Sequence, residues 1–190
     1  MWKKLNRLGL CLLLALGSGE IAPVQAAEKP EFYEQIYLSE AEALKLVMGD
    51  LNLKKTIFKP TAAQRKRLQQ KMRRKLPESE IPIWVGFKQG KPARYAFILH
   101  EDGKHYPITF IVGLTPDGKV TQVAVMVYRE KRGDGVKRAR FLNQFPGKTR
   151  RDDVEVNADI IHITGSTISS WSMAAGVRKA LILHEELGLK

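Results

Sequence analysis

The sequence holds one cysteine, Cys11, in 190 residues, and that one lies in an N-terminal apolar stretch. The rest of the chain therefore has no disulfide, thiolate nucleophile or Cys-ligated metal open to it. Histidine is also scarce. His100, His105, His162 and His184 are scattered, with no metal-spaced pair such as H-E-x-x-H. There is no G-x-S-x-G, so a hydrolase built on Ser166 or Ser169 has no elbow to stand on. No apolar run reaches the roughly 18 residues of a spanning helix. No internal repeat and no low-complexity linker breaks the chain. What is present is globular in composition, 44% hydrophobic and 27% charged, at a length that suits one domain.

Residues 1–26 have the layout of a cleaved secretory signal. Lys3, Lys4 and Arg7 open it, Leu8 to Gly17 is the apolar stretch, and Val24-Gln25-Ala26 offers small residues for the cut. The expectation is a periplasmic or otherwise extracytoplasmic protein of residues 27–190, with membrane association left open; the alternative, an uncleaved anchor, has a short apolar run for that purpose. Soluble nucleotide cofactors are kept inside the cell, so a cofactor used outside must be held tightly or attached.

Acid is missing altogether from residues 51–77, which carry ten cations: Lys54, Lys55, Lys59, Arg65, Lys66, Arg67, Lys71, Arg73, Arg74 and Lys75. The cluster lies largely on an expected helix from about Ala62 to Lys75, opened by the Thr61–Gln64 capping-box pattern and striped by Leu68, Met72 and Leu76. Two readings stay open: a dock for an anionic membrane or an acidic protein surface, or a solvated face with no partner. Nucleic acid is the weaker partner, because no aromatics are interleaved for base stacking.

Ser39 to Glu42 forms a second capping box, and Ala43, Leu44 and Val47 continue a short helix that Gly49-Asp50 ends. Then the period changes. Ile83–Phe87, Tyr95–Leu99, Tyr106–Gly113 and Val120–Tyr128 are rich in β-branched and aromatic residues, separated by Gln89-Gly90, Asp102-Gly103 and Pro116-Asp117-Gly118. In the last run Val123, Val125 and Val127 alternate with Gln122, Ala124 and Met126. Four adjacent strands with short links imply an antiparallel meander. Asp159–Ile163 is a candidate fifth strand, Val136–Phe145 a helix, and Trp171–Leu187 the final helix, with Ala174, Val177 and Leu181 on one face. The expected class is α+β, about five strands with helices packed on them. Residues 27–77 form a helical part carrying the basic helix; residues 82–190 hold the sheet, the site segment and the last helix.

The informative stretch is Thr164-Gly165-Ser166-Thr167-Ile168-Ser169-Ser170. Small residues let a backbone approach a ligand closely. Hydroxyls and unpaired amides at a helix N-terminus favour an anion, and the shape suits a phosphate. Ser/Thr-rich turns before helices are also ordinary caps.

This segment resembles the S/T-G-A-T-x-S/T-S signature of the FMN-binding domain family. That family includes the extracytoplasmic G subunit of the Rnf complex and the C subunit of sodium-translocating NADH:quinone oxidoreductase. Two further stretches match in order. Tyr128 to Gly135 resembles a strand end followed by E-T-P-G-x-G, through Glu130, Gly133 and Gly135. Phe141 to Lys148 resembles F-x-x-Q-F-x-G-K. The resemblance covers roughly Ile108 to Leu187.

The resemblance implies FMN as cofactor, esterified to Thr167 by a flavin transferase that uses FAD. It implies Thr164, Gly165, Ser166, Ile168, Ser169 and Ser170 around the phosphate, with Glu130, Gly133 and Gly135 near the ring. Lys131 and Arg132 depart from the pattern, as does Ile161, which stands where the transferase usually sees an Asp. His162 and Trp171 flank the signature. The function so implied is electron relay in an extracytoplasmic redox chain, with a membrane redox complex or a periplasmic cytochrome as partner. The protein is then a carrier more than a stand-alone enzyme. The alternatives are a basic docking module without flavin and a flavin reductase with exchangeable FMN.

Overall fold

The computed structural model describes residues 33–189. The signal read at residues 1–26 lies outside the described residues. The remainder is built on a six-stranded antiparallel sheet. Its strands are β1 (Gln35–Ile36), β2 (Asn52–Phe58), β3 (Ile81–Lys88), β4 (Lys91–Asp102), β5 (Pro107–Leu114) and β6 (Val120–Tyr128), in the order β1-β6-β5-β4-β3-β2. The expected meander is β3 to β6. Helix α1 (Glu40–Met48) covers one face, and α2 (Ala62–Met72) with the long α4 (Thr167–Glu186) covers the other. A 3-10 turn (Asp134–Lys137) and the short α3 (Ala139–Leu142) lie between β6 and α4.

Each face has its own apolar cluster. α1 sets Ala43, Leu44, Val47 and Met48 on Ala96, Ile111, Ala124 and Met126. Small alanines on the strands let this helix sit close. The larger cluster joins Phe97, Phe110 and Val112 of the sheet to Met173, Ala174, Val177 and Leu181 of α4. It continues beyond α4 into Phe141, Phe145, Val154, Val156 and Ile160. α4 is thus wrapped on several sides, not on the single face its sequence period indicated.

Both capping boxes form. Glu42 N–H donates to Ser39 Oγ and Ser39 N–H to the Glu42 carboxylate; Gln64 and Thr61 exchange the same pair of bonds.

Six expectations are corrected. There are six strands, not about five. Residues 52–58, taken into the helical N-terminal part, are strand β2. This is an edge strand exposed along nearly its whole length, so neither of its faces carries the apolar alternation that marks a buried strand. Residues 159–163 are no strand; only an isolated Val156–Ile160 bridge forms there, because Gln144 takes both the N–H (2.7 Å) and the C=O (3.0 Å) of Ile161. The basic helix stops at Met72, where Arg73 turns left-handed at φ 55° and lets Leu76 reach the core. α4 begins at Thr167, four residues before the expected start, and the 136–145 helix is only the 3-10 turn and α3.

Much of the basic cluster is spent inside the molecule. Arg65 donates to the Leu76 and Glu78 carbonyls, Arg67 and Lys71 pair with Glu186, and Arg74 grips Glu101.

Candidate functional site

Two loops separated in sequence meet at the first turn of α4. The first follows β6. A β-bulge there pairs Thr109 with Val127 but Phe110 with Val125. The extra residue breaks the alternation read at Val123, Val125 and Val127. Val127 joins the α1 side, and Tyr128 turns toward α4. The buried Tyr128 hydroxyl donates to the Arg132 carbonyl at 2.9 Å and lies 2.8 Å from Ser169 Oγ, which donates in turn. Burial pushes this phenol up to about 12, against the lowering effect of the Ser169 bond.

The glycines of the first loop lie against the second. At Gly133 (φ 93°) an added Cβ would stand 2.4 Å from Tyr128 Oη and 3.1 Å from Ser169 Oγ. At Gly135 it would stand 2.7 Å from Ser166 Oγ. Only a residue without a side chain lets the loop approach the signature this closely. Between them Asp134 is held by Lys137 (2.8 Å) and Tyr37, and the Lys137 hydrogen bond keeps its carboxyl below the usual range.

The second loop is the signature. Ser169 and Ser170 are buried and structural in their contacts: Ser170 Oγ donates to the Ser166 carbonyl (2.9 Å) and accepts from Ile163 N–H (3.2 Å). Ser166 is buried as well. Thr164, Gly165 and Thr167 are exposed. Glu130 Oε1 accepts the His105 and Tyr106 amides at 2.8 and 3.2 Å.

Among helices of nine residues or more in the described residues, α4 alone has no side-chain cap. Its first intrahelical donor is Ser170 N–H, to the Ser166 carbonyl at 2.9 Å. The first-turn amides thus face outward beside the Thr167 hydroxyl, as a phosphate needs. Apolar surface surrounds them. Ile161, Ile168 and Trp171 are 77%, 49% and 41% exposed, large hydrophobic side chains left in water within six residues of Thr167. A ligand with an anionic end and a flat apolar body fits both features.

A cleft of about 310 Å³ adjoins this turn, lined by Arg140, Gln144, Ile161, His162, Ile163 and Thr164. Gln144 and Arg140 had no assigned role in the sequence beyond the F-x-x-Q-F match. His162 is exposed and lies in no strand. Asp159, the carboxylate nearest the place of Ile161 in sequence, is already occupied by Lys148 (2.8 Å) and Glu155 N–H (2.9 Å). Among the described residues no cluster of His, Cys, Asp and Glu could hold a metal, and no helix is long and apolar enough to cross a membrane.

Residues 103–182 match the FMN-binding domain family. The G subunit of the Na(+)-translocating ferredoxin:NAD(+) oxidoreductase complex of Acetobacterium woodii is 26% identical over 121 residues, covering 58% of each chain. The G subunit of the proton-translocating ferredoxin:NAD(+) oxidoreductase complex of Clostridium ljungdahlii is 29% identical over 107 residues, 52% of this chain and 57% of that one. The chain thus spans less than two thirds of these relatives' length. Among solved structures, Shewanella oneidensis NqrC aligns with a TM-score of 0.49 at 16% identity, over 70% of this chain and 69% of that one. The C subunit of the Na(+)-translocating NADH-quinone reductase from Parabacteroides distasonis aligns at 0.45 and 16%, over 68% and 78%. The segment that matches the FMN-binding domain family runs from the β4–β5 turn through most of α4 and holds the glycine loop, the uncapped first turn and Thr167.

Proposed function

We propose that this chain is an extracytoplasmic electron carrier holding FMN by a phosphoester to Thr167. The observation that carries the proposal is the first turn of α4. An exposed hydroxyl stands among outward-facing amides, ringed by exposed Ile161, Ile168 and Trp171 and backed by two glycines that tolerate no side chain. The bound cofactor supplies one- and two-electron exchange.

The chain's own residues supply the rest. The amides of Thr167, Ile168 and Ser169, at the positive end of a twenty-residue helix, neutralise the phosphate. Tyr128, through Ser169, anchors that turn to the end of β6. Ile168 and Trp171 cover an apolar body and exclude water from one side of it. Attachment joins Thr167 Oγ1 to the phosphorus of the FMN half of FAD and breaks the pyrophosphate; AMP leaves and takes up the hydroxyl proton. A flavin transferase performs this step, and a membrane redox complex is the electron partner. A tether prevents loss of the cofactor outside the cell.

The test is the intact mass of the exported protein made with a flavin transferase present, beside Thr167→Ala. The expected result is a gain of FMN minus water, absent in the variant. An unmodified mass that still carries yellow, filterable flavin overturns attachment and leaves binding. A colourless, unmodified protein overturns both and favours the basic docking module.

A further inference from the structure

We infer that β2 is a docking edge that takes an acidic, extended segment of another protein as one further strand of the sheet. The inference is independent of the flavin. β2 closes one end of the sheet. β3 pairs with it over all seven residues in unbroken register, and among the described residues no strand pairs with its other side. Along that side every second residue presents a backbone N–H and C=O with no strand opposite, a template for one more strand. Its sequence, Asn52–Phe58, holds no proline or glycine, and no bulge interrupts its pairing with β3.

The side chains of β2 define what the added strand must carry. Alternation puts Leu53, Lys55 and Ile57 on the face shared with α1, since Lys55 lies opposite Trp84, which packs on the α1 cluster. Lys54 and Thr56 lie on the other face with Phe58, which packs on the larger cluster. α1 packs on β4, β5 and β6, so the β2 end of its face stays open: Leu53 is 40% and Ile57 51% exposed. Each face of β2 thus offers a cation, and on one face two aliphatic residues flank it. Lys54 has no carboxylate within 4 Å among the described residues, and Lys55 reaches Glu40 only at 4.0 Å.

A strand matched to this edge sets acids opposite Lys54 and Lys55 and aliphatic residues opposite Leu53 and Ile57. Opposite charges facing each other across a strand pair stabilise it, and like charges oppose it. The same rule disfavours a second copy of the chain. Full antiparallel overlap of two β2 strands is centred on Lys55 and sets Lys55 against Lys55. The edge also lies well away from the signature. β2 and β6, which ends at Tyr128, are four strand spacings apart, roughly 19 Å.

The probe is a blocked peptide built on that pattern, Thr-Val-Thr-Glu-Glu-Val-Thr, added to the exported protein. Its counterpart carries Lys in place of both Glu. Residue-resolved amide exchange is followed by NMR on wild type and on the double variant Lys54→Glu, Lys55→Glu. Both lysines are exposed, so the variant keeps the fold. The expected result in wild type is slowed exchange at every second residue of 52–58, about sixfold with the acidic peptide at about five times its Kd, and weakened by salt. The double variant should bind the acidic peptide about tenfold less tightly and gain the alternating protection from the lysine peptide instead. Protection that is absent, or alike in both proteins, overturns the inference. Binding without the alternating pattern overturns it too, since it means charge attraction without a strand pair. Wild-type dimers with residues 52–58 protected in the absence of peptide would make a second copy the occupant and overturn it as well. Phosphatidylglycerol vesicles are run beside the peptides, and binding to them in place of the acidic peptide overturns it in favour of a membrane.

Discussion

Gly133→Ala tests whether the contact between the two loops organises the site. Two costs add at this position. A residue with a side chain at φ 93° pays about 1–2 kcal/mol for the left-handed backbone. The new Cβ, 2.4 Å from Tyr128 Oη, also displaces the buried phenol from Arg132 and Ser169. Leaving those groups unpaired costs about 1–3 kcal/mol more. The expected loss is therefore about 3.5 kcal/mol, the middle of the combined range of about 2–5 kcal/mol. Gly147→Ala is the control. Its φ is 89°, yet nothing lies within 4 Å of an added Cβ. It should cost only the backbone share, about 1–2 kcal/mol. Urea unfolding at matched slope reads both. Repeating Gly133→Ala in a Tyr128→Phe background removes the atom it strikes, so its cost there should fall to that of Gly147→Ala. Equal losses at the two glycines in the wild-type background would refute the reasoning, as would a Gly133 cost indifferent to Tyr128→Phe. Flavin loading should fall with Gly133→Ala and hold with Gly147→Ala, because only the first moves Ser169.

Three further outcomes follow from the structure. Lys179, 5% exposed, sits between Glu78 and Glu101, which Arg74 also binds at 2.5 and 2.9 Å; Lys179→Met leaves two carboxylates on one cation and should cost about 3 kcal/mol at pH 7. Burial raises Glu78, but its bond to Lys179, a backbone hydrogen bond and the charges of Lys179 and Arg74 together outweigh this and hold the carboxyl low, so its stabilisation is present above the ordinary carboxylate range and lost as pH falls through the lowered value. Urea melts of wild type and Lys179→Met should therefore converge in acid; a gap independent of pH would refute the assignment. Ultraviolet titration should show one phenol ionising at about 12, missing in Tyr128→Phe, and a normal titration there would mean the hydroxyl is not buried. Gln144→Leu should free the Ile161 backbone and raise hydrogen exchange at its amide, while unchanged protection would show that the clamp is dispensable.

The parts of this protein set by neighbours in sequence were legible without coordinates. Ser39–Glu42 and Thr61–Gln64 are bonds across three residues, and both formed. The meander from β3 to β6 follows from runs of β-branched and aromatic residues joined by short turns. The signature and its two companion stretches carried the cofactor, because those small residues recur in a fixed order. What rests on distant partners was not legible. β2 forms because β3 offers it an edge, and its own side chains, solvated nearly throughout, leave no period to read. Residues 159–163 have strand composition but no strand to pair with, since Gln144 takes their backbone first.

Tyr128 shows the boundary most plainly. Sequence alone marked out the candidate residues of the site and the Ser/Thr-rich turn that leads into Thr167. Only the tertiary structure decided that Tyr128 faces that turn, because one extra residue at a bulge opposite Thr109 and Phe110 reverses every side chain beyond it. It also decided that Gly133 and Gly135 lie against Ser169 and Ser166. A chain encodes its local bonds residue by residue, but which faces meet depends on register, and register is settled only when the whole sheet closes.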